Sequence, residues 1–191
     1  MFVRKDRIES LKFLDIGCGL HGTSGFVNLD YWWRPEVEVC WDLTKDSLPF
    51  ESNRFKGVFS EHCFEHVSLD TFRDSMRDVL RVLIPGGTAR IVMPDGELYF
   101  DIYQDLKNGG SRVMPFIEEY ITPMARINGL FRNHGHVFIY DFETVKHVME
   151  EIGFCDIKKE SFGKGREESL AKRDTDWRAI ESLYVEGRKP S

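Results

Sequence analysis

Carboxylates and imidazoles gather in two short stretches of this 191-residue chain. Glu61-His62-Cys63-Phe64-Glu65-His66 sets two histidines four positions apart, each preceded by a glutamate. On a helix, that spacing would put both rings on one face. No cysteine or third histidine stands at a ligand spacing from them, so no metal site is expected. The second stretch is His134-Gly135-His136, with Tyr140 and Asp141 close behind. Imidazoles exchange protons near neutral pH, which makes His136 and His62 candidates for acid–base work. Asp95, at the end of TARIVMPD, is a third candidate, although an aspartate there could equally cap the helix that follows.

A third stretch, Leu14 to Asp30, reads LDIGCGLHGTSGFVNLD. Gly17-Cys18-Gly19-Leu20-His21-Gly22 fits the GxGxxG nucleotide fingerprint, which is weak by itself. Asp15 lies just before it. A carboxylate beside a pyrophosphate would repel it, so Asp15 suits a ligand with an ammonium group better. Asp30 ends the next apolar run, where it can accept both hydroxyls of a ribose. The interval from Gly17 is shorter than the ~20 residues usual in dinucleotide-binding proteins.

The elements that must position these residues alternate between apolar runs and helical patterns, as in a mostly parallel sheet with crossover helices. Residues 11–17, 26–30, 37–43, 55–62 and 88–95 read as five buried strands. Ser68 caps a helix whose Leu69, Phe72, Met76, Val79, Leu80 and Leu83 share a face, stopped by Pro85-Gly86-Gly87. A helix follows Asp95 and ends at Gly109-Gly110, and Pro123 kinks or divides a further helical stretch. Asp141 caps a helix ended by Gly153. Residues 154–162 and 182–190 read as two antiparallel strands, joined by a polar loop with a short helix. Only residues 18–25 separate the first two strands, whereas a crossover with its helix normally takes ≥10–12 residues. The first crossover helix is therefore expected to be reduced or absent. The sheet face it leaves open would be covered by residues 1–10, by the 96–133 segment or by a second copy in a homodimer.

LDIGCG, VNLD, CWDLTKDSLPF, FKGVFSEHCFEHV, LRVLIPGGTARIVMPD and GHVFIYDFETVKHVMEEIGF, in that order, resemble a short class I S-adenosylmethionine (SAM)-dependent methyltransferase of the type 11 group. The resemblance covers about residues 11–162. It implies a doubly wound α/β sheet of the Rossmann-like, seven-stranded type with an antiparallel last strand. It also implies SAM as cofactor and S-adenosylhomocysteine as product. Asp15, Gly17, Cys18 and Gly19 would hold the methionine part, and Asp30 with Tyr31 the ribose. Asp42 and Leu43 would hold the adenine, with Ser60, Glu61 and His62 between cofactor and acceptor. The loop carrying His136 would lie over the carboxyl edge of the strands, making His136 the preferred general base. Trp32, Trp33, Tyr99, Tyr103 and Phe131 could shape an acceptor pocket, although core aromatics are commoner. The resemblance further implies a small-molecule or sugar acceptor, methylated at oxygen, with residues 96–133 as its lid within a single domain of residues 1–191. Two rivals stand beside this reading: a catalytically silent SAM-binding subunit acting with a partner, and an NAD-dependent oxidoreductase, against which Asp15 argues.

The totals set outer bounds. A hydrophobic fraction of 41% with 30% charged residues is ordinary for a globular domain. A net charge of −6 argues against binding nucleic acid by phosphate neutralisation. The charged first dozen residues lack the apolar core of a signal peptide, and no apolar run approaches the ~18 residues of a membrane span. Four cysteines without CxxC pairing suggest reduced thiols in a cytoplasmic protein.

Overall fold

The computed structural model describes residues 2–4, 8–116 and 121–191. Its centre is built by β2 (Phe13–Ile16), β3 (Phe26–Asp30), β5 (Phe55–Glu61) and β6 (Leu83–Pro94), whose runs of buried residues suit strands covered on both faces. With β1 (Phe2–Val3), β4 (Val39–Cys40), β7 (Cys155–Glu160) and β8 (Ser182–Arg188), they form one sheet in the order β1-β4-β3-β2-β5-β6-β8-β7. Strands β4 to β6 in this order are mutually parallel; β8 is antiparallel to β6 and to β7, and β1 to β4. The doubly wound architecture and the antiparallel last strand agree with expectation. The third strand is much shorter than residues 37–43, because Asp42 folds back onto Thr44 in a turn.

One face carries α1 (Leu69–Val82) and α4 (Phe142–Ile152). The Ser68 hydroxyl accepts the Thr71 N–H at 3.1 Å, and the Asp141 carboxylate accepts the Thr144 N–H at 2.8 Å. Gly153 ends α4 in the left-handed region, at φ 107°. Phe72, Met76 and Val79 of α1 and Val145, Val148 and Met149 of α4 pack on Leu14, Ile16, Val58 and Ile91 of the sheet. The helix α1 ends at Val82, and the chain pairs directly with β5 through Leu83, before Pro85-Gly86-Gly87 is reached. Helices α2 (Gly96–Lys107) and α3 (Pro123–Arg132) share a separate apolar cluster of Tyr99, Ile102, Met114, Ile127 and Leu130, with Tyr103 and Phe131 packed against it. Pro123 starts α3 behind a Thr122 cap and does not kink it, since the first helical position needs no N–H. Residues 117–120 of the expected helical stretch lie outside the described residues.

Residues 17–25 contain no helix, as the short spacing required. Among the described residues, neither the 1–10 nor the 96–133 segment contributes to the apolar cluster on the face this leaves open. Residues 161–181, between β7 and β8, cross back over it as a strap with one short helix, α5 (Glu168–Ala171). Leu170 sits among Phe26, Phe59, Val92 and Tyr184, and all five are buried. A second subunit is thus not needed to bury this face. The strap is polar, and its anchor is Arg90, which is fully buried in β6. All five guanidinium N–H groups find acceptors: both Asp174 oxygens, Glu186 Oε1, and the carbonyls of Lys164 and Ser161, at 2.5–3.2 Å. Further along, Arg173 Nη2 donates to Asp15 at 2.6 Å and to the His21 carbonyl at 3.0 Å. No helix of the described residues is long and apolar enough to cross a membrane.

Candidate active site

Two cavities open at the carboxyl ends of the central strands, where ligands bind in open α/β sheets. The first, of about 590 Å³, is lined by Gly17 and Gly19 after β2, by Asp30, Tyr31 and Trp32 after β3, and by Asp42, Leu43 and Thr44 after β4. His62, Cys63, His66 and Val67 close it from β5. Gly17 is required by sterics, since its φ is +73° and an added Cβ would lie 2.4 Å from Cys63 Sγ. Gly19, at φ +56°, has only open space where a Cβ would point. The Asp30 carboxylate accepts the Gly19 N–H at 2.9 Å and the Trp32 N–H at 2.8 Å, and Arg34 at 3.2 Å. These bonds orient it at the cavity wall. Asp42 accepts the hydroxyl of Thr44 at 2.6 Å and pairs with Lys45 at 3.1 Å. The Thr44 bond is the main cause that holds its carboxyl below the usual range. The turn and the cavity wall are thus one feature.

The second cavity, of about 380 Å³, lies beside the first and shares His62 and His66 with it. Its other walls come from Glu65, from Tyr99 of α2, from Leu130 and the 133–136 loop, and from Trp177, Arg178 and Glu181 of the strap. His62 ends β5 in the left-handed region at φ 48°, a placement that a non-glycine residue keeps only when its surroundings enforce it. Its Nε2 lies 2.9 Å from the Ser182 hydroxyl and its Nδ1 3.2 Å from Glu65 Oε1. Burial pushes the Glu65 carboxyl up, but contact with His62 and the charges of His62 and His66 outweigh it and hold it low. His136 Nδ1 lies 2.6 Å from the Leu130 carbonyl, which fixes the proton on Nδ1 and leaves Nε2 as a lone-pair acceptor. Burial is the main cause that lowers the His136 pKa, which favours the neutral ring.

Of the residues singled out from the sequence, Gly17, Gly19, Asp30, Tyr31, Asp42, Leu43 and His62 line the first cavity, and His62 and His136 the second. Five others line neither. Asp15 is buried beneath the glycine loop and claimed by Arg173. Burial pushes its carboxyl up to about 6 despite that partner. Glu61 accepts the backbone N–H and the hydroxyl of Thr175. The Ser60 hydroxyl donates to the Ile16 carbonyl at 2.9 Å, tying β5 to β2. Cys18 is buried among backbone, and burial pushes its thiol up. Asp95 caps α2 through the Leu98 N–H and pairs with Lys159 at 3.1 Å, so its position serves the helix start. Among the aromatics, Trp32 lines the first cavity and Tyr99 the second, whereas Tyr103 and Phe131 belong to the α2–α3 cluster. The strap residues Trp177, Arg178 and Glu181 were not anticipated, because a polar loop gives no periodicity from which to place it.

Residues 33–91 match a family profile described as a methyltransferase domain. No curated protein matches the sequence. Among solved structures, phosphoethanolamine N-methyltransferase 2 of Haemonchus contortus, in complex with SAM, superposes with a TM-score of 0.58 at 16% identity. That match covers 95% of this chain and 49% of the worm protein, so the chain spans about half its length. A SAM-dependent methyltransferase from Archaeoglobus fulgidus gives 0.59 at 14% identity over 96% of this chain and 89% of that one. One from Mesorhizobium loti gives 0.56 at 19% identity, covering 95% and 92%. The protein has the fold of the class I SAM-dependent methyltransferases. Within it, segment 33–91 is similar in sequence to that methyltransferase-domain profile.

Proposed function

We propose that this protein binds SAM in the 590 Å³ cavity and transfers its methyl group to an oxygen of a small-molecule or sugar acceptor in the 380 Å³ cavity. The observation that carries this reading is the meeting of the two cavities at His62 and His66. The residues present fit SAM. Gly19 leaves open space at the wall, Asp30 Oδ2 keeps a lone pair for a ribose hydroxyl, and Leu43 and Val67 offer apolar surface for adenine. Bound SAM would supply a methyl carbon already activated by its sulfonium, so that displacement leaves a neutral thioether. The protein's work is positioning and proton removal. His136 Nε2, neutral and facing the second cavity, takes the proton of the acceptor hydroxyl. Asp30 is oriented by the Gly19 and Trp32 amides to hold the ribose. Residues 96–133, with their own apolar cluster, form the cover over the acceptor and set its shape. Sugar acceptors are favoured by the family resemblance alone.

Calorimetric titration with SAM, S-adenosylhomocysteine and NAD, repeated on Asp30→Ala, tests the cofactor. Micromolar binding of SAM or its product, abolished in the variant, is expected. Binding of NAD without SAM would sink the reading. His136→Asn then separates an enzyme from a silent SAM-binding subunit. With an accepted substrate, kcat should fall about 10²–10⁴-fold, whereas a silent subunit would keep its function.

A further inference from the structure

We propose that Glu65, His66 and His136 form a binding site for one divalent transition-metal ion of the zinc type, at the junction of the two cavities. One ligand atom from each residue lies within 4.8 Å of the other two. Glu65 is the strongest indication. Its side chain is 1% exposed, and neither carboxylate oxygen receives a hydrogen bond of good geometry. Among the described residues, His62 Nδ1 lies 3.2 Å and His66 Nε2 3.8 Å from Oε1. Buried carboxylates are ordinarily hydrogen-bonded, paired or bound to metal, and this one borders an open cavity.

His136 is prepared in the way metal-binding histidines are. Its Nδ1–H donates to the Leu130 carbonyl, which fixes the tautomer and leaves the Nε2 lone pair free to ligate. The two ligand segments are fastened to each other by backbone. The Glu65 carbonyl accepts the N–H of Val137 at 2.7 Å and of Phe138 at 3.2 Å. The distance between Glu65 and His136 is therefore set by main chain, not by side-chain chance. The rings of His66 and His136 lie 5.1 Å apart. Two imidazoles and a carboxylate suit zinc or a neighbouring first-row ion, and they leave positions free toward the acceptor cavity. The spacing within 61–66 hid this arrangement because the third ligand arrives from a loop far along the chain.

The consequence rests on the acceptor reading of that cavity, although the binding itself does not. A bound acceptor hydroxyl would take a free position on the ion and lose its proton more readily. In the metal-loaded protein His136 Nε2 would be a ligand and the proton would pass to solvent, whereas in the metal-free protein Nε2 takes that proton itself.

The protein, stripped with a chelator and dialysed, should be titrated with Zn²⁺ by calorimetry and with Co²⁺ by absorption spectroscopy. One equivalent should bind, with cobalt bands characteristic of low coordination. His66→Asn and His136→Asn should each weaken binding by at least about 10–100-fold, and His147→Asn, on the exposed surface of α4, should not. Circular dichroism establishes that each variant is folded. Absence of stoichiometric binding, or binding that survives both cluster variants, would overturn the site. The SAM titration is read separately on metal-free protein, so failure of the metal site and failure of methyl transfer give different results.

Discussion

On one face of the sheet, α1 and α4 press Phe72, Met76, Val79, Val145 and Met149 onto Leu14, Val58 and Ile91. On the other, residues 161–181 are fastened through Arg90, Asp174 and Glu186 and through Arg173 and Asp15. The helical face is held by apolar burial, which is non-directional and distributed over many side chains. The strap is held by a few charges whose geometry must be right, because a buried ion left without its partner is costly. The strap is also the side that reaches the site, through Thr175 on Glu61 and Trp177, Arg178 and Glu181 in the cavity wall. Stability on the helical face and site geometry on the strap face should therefore respond to different substitutions.

Arg90→Met should have the largest effect, because it strands Asp174 and Glu186. A loss of about 3–5 kcal/mol in urea unfolding is expected, together with weaker SAM binding by the molecules that remain folded. Met76→Ala, in the fully buried helix face, should cost about 2–5 kcal/mol and leave SAM affinity unchanged. If Met76→Ala weakened SAM binding and Arg90→Met did not, the contrast between the faces would be wrong.

Asp15 gives a gentler test. Its folded pKa is about 6, against 3.8 for an ordinary aspartate, because burial outweighs Arg173. A carboxyl raised in this way contributes stability that is fully present below its unfolded pKa and is lost as pH rises through about 6. Asp15→Asn removes that dependence. The parent should therefore gain on the variant as pH falls from about 7 to about 4.5, measured by urea unfolding. A constant difference would show that Arg173 alone governs the pair. The smallest effect belongs to Ser68→Ala at the start of α1, about 1 kcal/mol from the lost cap, read as a shift in the thermal midpoint.

Much of the frame was legible because burial writes itself into sequence. Residues 11–17, 26–30 and 55–62 are apolar runs, and Ser68, Asp141 and Gly153 are helix punctuation with a physical cause. The missing crossover helix was legible from chain length alone. The strap was not. GKGREESLAKRDTDW has no apolar period, and its docking depends on acceptors for one arginine within β6. A signal did exist: Arg90 interrupts TARIVMPD, and a charge in a buried strand requires partners from elsewhere. The site divides in the same way. Gly17, Gly19, Asp30, Asp42 and Leu43 stand at or after strand ends and line the first cavity. Asp15 and Glu61 also stand at strand ends, but Arg173 and Thr175 take their carboxylates. Glu65 and His66 gain their meaning only when the loop at His136 is folded against them.

The strap has a consequence for the order in which the chain matures. The contact between Asp15 and Arg173 joins residues 158 positions apart, and the contact between Arg90 and Asp174 joins residues 84 apart. Contacts of such long separation form late and slow the search for the native state. During synthesis the glycine loop emerges well before residues 161–181, so its buried carboxylate and the side chains of Phe26 and Phe59 wait for the strap. Until then the nascent protein shows solvent an apolar sheet face and an unanswered charge, a state prone to association. A conventional crossover helix would have closed that face at once. By using a strap drawn from residues 161–181, this protein completes its glycine loop only after the intervening sheet has been made.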